Sequence, residues 1–165
     1  MKARIFTGAA IAGLLASPAM AADWQVMENQ DAASPQAIYS VSETTADVVF
    51  TCNDTGKLKM LIGLDDTPIT EQLAKRVTYA RAETMELARG DAAASEYRVR
   101  WVPNLGIAQV VGHNAAAKVY NAAVTGETIR FEVKRQNAVE MALPEVNEAF
   151  SAFASTCSAL RAADT

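Results

Sequence analysis

Histidine and cysteine are scarce in this chain, which has one histidine and two cysteines in 165 residues. The single histidine, His113, cannot build the common zinc sites that combine several histidines, and no serine carries a nucleophile motif that would need it as a base. The two cysteines, Cys52 and Cys157, are far apart and lack the Cys-x-x-Cys spacing of redox-active dithiols. With no glycine-rich phosphate loop either, the sequence indicates no catalytic residues, no metal site and no cofactor.

Long hydrophobic runs are also missing. The apolar stretch at residues 5–15 is too short for a membrane span, which needs about 20 residues. Two basic residues precede it, Ser17-Pro18 ends it, and small residues occupy the two positions that signal peptidase reads. This pattern predicts a signal peptide over residues 1–21, cleaved between Ala21 and Ala22, and no membrane span after processing.

The predicted export sets the location and the redox chemistry. We expect one globular domain over residues 22–165, in the periplasm or secreted. Both cysteines lie on predicted core-facing sides, so an oxidising compartment favours a disulfide that joins the C-terminal helix to the sheet. Without the signal peptide, 13 basic residues face 19 acidic ones, a formal charge of −6. An acidic surface argues against nucleic acid as a partner.

Alternating hydrophobicity predicts several strands. The clearest is a hairpin from Asp47–Cys52 and Lys57–Leu64, joined by a turn at Asn53–Gly56. A second hairpin turns at Pro103–Gly106, and a strand with one wet face follows Gly126. The second hairpin is formed by strands at Tyr97–Trp101 and Ile107–Val111, and the strand after Gly126 covers Glu127–Lys134. Two further strands are expected at Trp24–Met27 and Ile38–Val41.

Helical spacing predicts three helices. The first begins at Thr67-Pro68 and continues to Gly90, with a strand at Arg76–Tyr79 as the competing interpretation. The second is capped by Asn114 and closed by Gly126. The third begins at Pro144, and its core-facing seam is Val146, Phe150, Phe153, Cys157 and Leu160. The fold class is therefore α+β, an antiparallel sheet of hairpins with helices on one face and a C-terminal helix. The alternative is a small β-sandwich or barrel with a terminal helix.

Four residues are candidates for function. His113 is a candidate catalytic base, against the alternative of a helix-capping or loop histidine. Arg98 and Arg100 flank a strand position next to Trp101, and the three residues form a candidate anion or sugar surface. A solvated strand face with Trp101 in the core is the competing interpretation.

A set of spaced residues resembles a known family. Trp24-x-Val26 is followed by a hairpin strand ending in Cys52, a helix closed by Gly126, and a last segment with Phe150-x-x-Phe153 and Cys157. This arrangement is similar to small exported proteins of alphaproteobacteria of the invasion-associated locus B type. That family usually has a cysteine soon after the first tryptophan, where this chain has Met27-Glu28. The resemblance implies a β-rich, disulfide-bonded periplasmic or surface domain that binds rather than catalyses.

The sequence thus favours an exported binding or accessory protein that acts on another envelope protein. Two alternatives stay open. One is a small hydrolase or lyase that uses His113 or a carboxylate such as Asp65. The other is a small-molecule carrier with an apolar cavity under the terminal helix.

Overall fold

The computed structural model describes residues 23–27, 36–41, 48–64, 79–110, 112–133 and 137–164. The predicted cleavage site at Ala21 and Ala22 and the carboxylate of Asp65 lie outside these residues. Within them, nine strands form one sheet. The strands are β1 (Asp23–Met27), β2 (Gln36–Val41), β3 (Val48–Cys52), β4 (Leu58–Gly63), β5 (Arg81–Arg89), β6 (Ser95–Val102), β7 (Ile107–Val110), β8 (Ile129–Val133) and β9 (Asn137–Met141). The helices are α1 (His113–Thr125) and α2 (Glu148–Ala163).

All described strand pairs are antiparallel, in the order β1-β2-β3-β4-β7-β6-β5-β8-β9. The sheet curls into a half-barrel, and both helices pack against strands of its inner face. The predicted antiparallel sheet and C-terminal helix are present. The curled sheet corresponds to the barrel-like alternative better than to the layered α+β packing that was expected first.

The predicted β3–β4 hairpin is present, and its turn has a clear chemical cause. The Asn53 side-chain oxygen accepts hydrogen bonds from the backbone N–H groups of Thr55, at 3.2 Å, and Lys57, at 2.7 Å. Gly56 takes a φ of 68°, a left-handed conformation that costs glycine little. In β3, Val48, Phe50 and Cys52 are buried, as the alternating pattern requires.

The long helix expected up to Gly90 is wrong over its last part. Residues 65–78 lie outside the described chain, and residues 81–89 form strand β5, which pairs with β6 on one side and β8 on the other. From Arg81 to Leu87 the more buried positions alternate with the more exposed ones, which is a period of two, and Ala88 is buried as well. A stripe that includes Thr84 and Leu87 satisfies helical spacing as well, so the hydrophobic pattern alone did not exclude a helix. The competing strand at Arg76–Tyr79 lies outside the described residues except for Tyr79, and the first described strand after this segment, β5, begins at Arg81.

The other two helices differ from their predicted starts. Helix α2 begins at Glu148, and its N-cap is Asn147, whose side-chain oxygen accepts a hydrogen bond from the Phe150 N–H at 3.0 Å. Val146 therefore lies before the helix and is 43 % exposed, not part of the core seam. Helix α1 has Gly112 rather than Asn114 as its N-cap and ends at Gly126 as expected. Strand β9 was not predicted.

The segment between β9 and α2 lies beside the opposite edge strand, β1. The indole N–H of Trp24 donates to the carbonyl of Pro144 at 3.0 Å, and the Asn147 side-chain amide donates to the carbonyl of Trp24 at 2.8 Å. The buried Trp24 ring packs against Phe50 and Phe150, with centroid separations of 5.7 and 5.0 Å. These contacts hold β1 against the N-terminal end of α2.

The predicted cysteine pair also joins the sheet to α2. Cys52 at the end of β3 and Cys157 on α2 lie at disulfide distance, with Cα atoms 5.9 Å apart. Both are buried, at 1 % and 4 % exposure. Neither described helix combines the length and the apolar character needed to span a membrane.

Candidate functional site

A cleft of about 310 Å³ lies between the two helices, above the turn that joins β3 to β4. The two helices supply nearly all of its lining. The residues are His113, Ala117, Tyr120 and Asn121 from α1, Ala154, Cys157, Ser158 and Arg161 from α2, and Leu58 from β4. We call it the interhelical cleft. Clefts that bind small molecules are typically about 300–1,000 Å³, so this open cleft has room for a small ligand.

His113 is the first residue of α1 and is fixed by the sheet. Its Nδ1 accepts a hydrogen bond from the backbone N–H of Leu58, at 3.2 Å. In the neutral imidazole the other nitrogen, Nε2, must then carry the proton. His113 therefore contributes a hydrogen-bond donor at the cleft, and its proton-accepting nitrogen is already engaged.

Arg161 lies in the last turn of α2, where a cation complements the helix dipole. Its Nη2 donates to the carbonyl of Gly56 at 3.1 Å. A Cβ on Gly56 would meet the Cys157 carbonyl and would lie 2.7 Å from the backbone nitrogen of Arg161. The β3–β4 turn therefore packs directly on the helix backbone, and this contact places the guanidinium at the cleft.

Tyr120 connects the cleft to the aromatic core. Its ring stacks on Phe150, with centroids 4.9 Å apart, and meets Phe50 edge-on at 5.9 Å. Burial raises the pKa of the Tyr120 hydroxyl above its usual value, and the positive charge of Arg161 opposes part of that rise. A tyrosine hydroxyl is neutral near pH 7 even at its usual pKa, so the phenol can donate a hydrogen bond.

The electrostatic character of the interhelical cleft follows from these residues. Arg161 supplies a positive charge, and the described lining contains no acidic side chain. The hydrogen-bond donors of His113 and Tyr120 line the cleft together with the polar side chains of Asn121 and Ser158. This arrangement suits the binding of an acceptor-rich group and supplies no obvious base. Across the described ranges, no three His, Cys, Asp or Glu side chains form a group that could hold a metal ion.

The other sequence candidates lie elsewhere. Arg98 and Arg100 are exposed on the outer face of β6, beside Thr84 and Ala82 of β5. Trp101 points to the opposite face and is 0 % exposed, so it offers no stacking platform next to the arginines. Its indole N–H has no hydrogen-bond partner in the described part of the protein. The structure therefore separates His113 from the arginine pair, and the arginine pair from the tryptophan.

Sequence reasoning nominated His113 but missed its neighbours Tyr120 and Arg161. The signal was present in part. Positions 113, 117 and 120 share one face of a helix, and so do 154, 157, 158 and 161. Only the tertiary structure shows that these two faces meet.

Comparisons with known proteins give no match among protein families, curated proteins or solved structures.

Proposed function

We propose that the protein is an exported binding or accessory protein of the cell envelope, and that the interhelical cleft is its binding site. The observation that carries this proposal is the set of oriented hydrogen-bond donors around one open cleft. Leu58 orients His113, Gly56 orients Arg161, and the aromatic core supports Tyr120. Donors held in place before a ligand arrives lower the entropic cost of binding.

The alternatives considered from sequence gain less support. A hydrolase or lyase that uses His113 as a base needs a free ring nitrogen, and Nδ1 already accepts from Leu58. A carrier with an apolar cavity under α2 needs empty space there. Trp24, Phe50 and Phe150 occupy that region, with ring centroids 5.0 to 6.5 Å apart.

The location in this proposal rests on the predicted signal peptide and on the paired cysteines, which suit an oxidising compartment. The resemblance to invasion-associated locus B proteins favours the same class of function, a disulfide-bonded domain that binds. The ligand would reach the cleft from the envelope, alone or presented by another envelope protein.

Native mass spectrometry of the protein purified gently from its own envelope fraction tests the proposal. We expect extra mass that dissociates on activation. Ser158→Trp fills the interhelical cleft and should abolish that mass. Ser155→Trp is the matched control, because Ser155 is an exposed serine on the same helix outside the cleft.

Two results would count against a binding site in the cleft. One is a wild-type protein that carries no extra mass under conditions that preserve known weak complexes. The other is extra mass that survives Ser158→Trp unchanged while that variant remains folded.

A further inference from the structure

We infer that the interhelical cleft takes a small carboxylate-bearing ligand, with its anionic group bound by Arg161 and His113 and its apolar part against Leu58, Ala117 and Ala154. This inference rests on the proposed function and specifies its ligand class.

The charge of the cleft is one-sided. The guanidinium of Arg161 is planar and can bind a carboxylate through two parallel hydrogen bonds. Its contact with the Gly56 carbonyl, at 3.1 Å, orients this plane at the cleft. No described lining residue is acidic, so an entering carboxylate meets no fixed negative side chain.

The remaining donors complement the same group. With Nδ1 of His113 held by Leu58, the Nε2–H is the ring's donor. Tyr120 also lines the cleft, and a tyrosine hydroxyl is protonated near pH 7, so this group can donate to an anion rather than repel it. Hydrogen bonds from several preformed donors to one charged acceptor are stronger than bonds between neutral groups.

The size and the apolar walls define the rest of the ligand. A volume of about 310 Å³ is near the lower end of the range for ligand clefts. Leu58, Ala117 and Ala154 line it with short apolar side chains. A carboxylate on a compact apolar body, such as a ring or a short branched chain, matches both features.

Benzoate and benzamide provide a direct test, because they share a shape and differ in charge. We would titrate each into the full-length protein and follow the backbone amide signals by NMR. Benzoate should cause saturable shifts in α1 and α2 around the cleft, with benzamide at least tenfold weaker. Inorganic phosphate is a third probe, and we expect it to bind more weakly than benzoate because it lacks the apolar body.

Variants identify the residue that binds the charge. Arg161→Gln should raise the benzoate Kd on the order of tenfold, whereas Arg98→Gln, the same charge change on the outer face, should leave it unchanged. Arg161→Lys keeps the positive charge and should retain more affinity than Arg161→Gln. If Arg161 acted only by holding the Gly56 turn, both substitutions at this position would weaken binding equally.

The outcomes separate this inference from the proposed function. Equal affinity for benzoate and benzamide, abolished by Ser158→Trp, would overturn the carboxylate class and leave the cleft as a binding site. Tighter binding of phosphate than of benzoate would overturn it in favour of another anion. Shifts centred on Arg98 rather than on the cleft, or no saturable binding of any probe by the folded protein, would overturn it as well. The proposed function itself is tested by the envelope experiment, through the presence of extra mass on the wild-type protein and its loss in Ser158→Trp.

Discussion

Removing the link between Cys52 and Cys157 should cost the protein a large share of its stability. The link connects the end of β3 to the middle of α2 and closes a loop across 105 positions of the chain. The perturbation is the double variant Cys52→Ala/Cys157→Ala, with the wild-type protein under reducing conditions as a second form of the same change.

The magnitude follows from the loop. In the chain-entropy description, a cross-link that closes roughly 100 residues stabilises the folded state by about 4.7 kcal/mol, because it restricts the unfolded chain. Both sulfurs are buried, so their removal in the double variant also leaves a small cavity at a cost of about 1 kcal/mol. For a domain of this size, the sum corresponds to a fall in Tm of roughly 10–20 °C.

Urea denaturation followed by tryptophan fluorescence measures the effect. The double variant should lose about 4–6 kcal/mol of unfolding free energy. Its m value should rise, because an uncross-linked chain exposes more surface when it unfolds. A loss below about 1 kcal/mol with an unchanged m value would refute the reasoning, since the loop would then not be closed in the oxidised protein. The mass gain of two hydrogens on reduction provides an independent check of the link.

Three further predictions concern single side chains. Gly56→Ala should destabilise the protein by at least about 3 kcal/mol, because a Cβ there meets the backbone of α2 and the left-handed φ adds strain. Gly126→Ala is the control, with a φ of 69° and open space around it, and should cost only about 1–2 kcal/mol in the same urea experiment. Asn147→Ala should cost about 2 kcal/mol of unfolding free energy, because both the helix cap and the contact with β1 are lost. Asn147→Ser retains a capping oxygen and should cost about half as much. Equal losses in the two variants would assign the whole effect to the β1 contact. Because burial raises the pKa of Tyr120 in the folded state, the unfolding free energy should fall as the pH rises above about 10, the usual tyrosine pKa. Tyr120→Phe should remove part of that alkaline loss, which is measured as unfolding free energy against pH.

The parts of the fold that the sequence predicted correctly are those set by local chemistry. The β3–β4 hairpin has its own turn signal in Asn53 and Gly56, and the buried positions of β3 alternate without exception. The terminal helix was visible in the spacing of Phe150, Phe153 and Cys157, all of which are buried. In these segments, local preference and tertiary environment agree.

The errors arise where neighbouring strands decide the structure. Strand β5 is stabilised by hydrogen bonds to β6 and β8, which come later in the chain, so its own pattern was ambiguous. The same dependence on tertiary structure explains why the candidate site was only partly predicted. His113 was predicted as a candidate because it is the single histidine, but its hydrogen-bond partner Leu58 is 55 positions away. Arg161 lines the same cleft only because α2 lies beside α1.

The hydrogen bond between Trp24 and Pro144 spans 120 positions, and Asn147 reaches β1 across 123. A chain that emerges N-terminus first, from a ribosome or through a membrane pore, therefore presents its first strand long before the residues that hold the outer edge of that strand. Assembly of this region must wait for nearly the whole chain, and such non-local closure is slow. Arrival of the last helix is then the step that completes this region, and for a chain exported as we propose, the delay would keep the polypeptide unfolded enough to pass through a membrane pore.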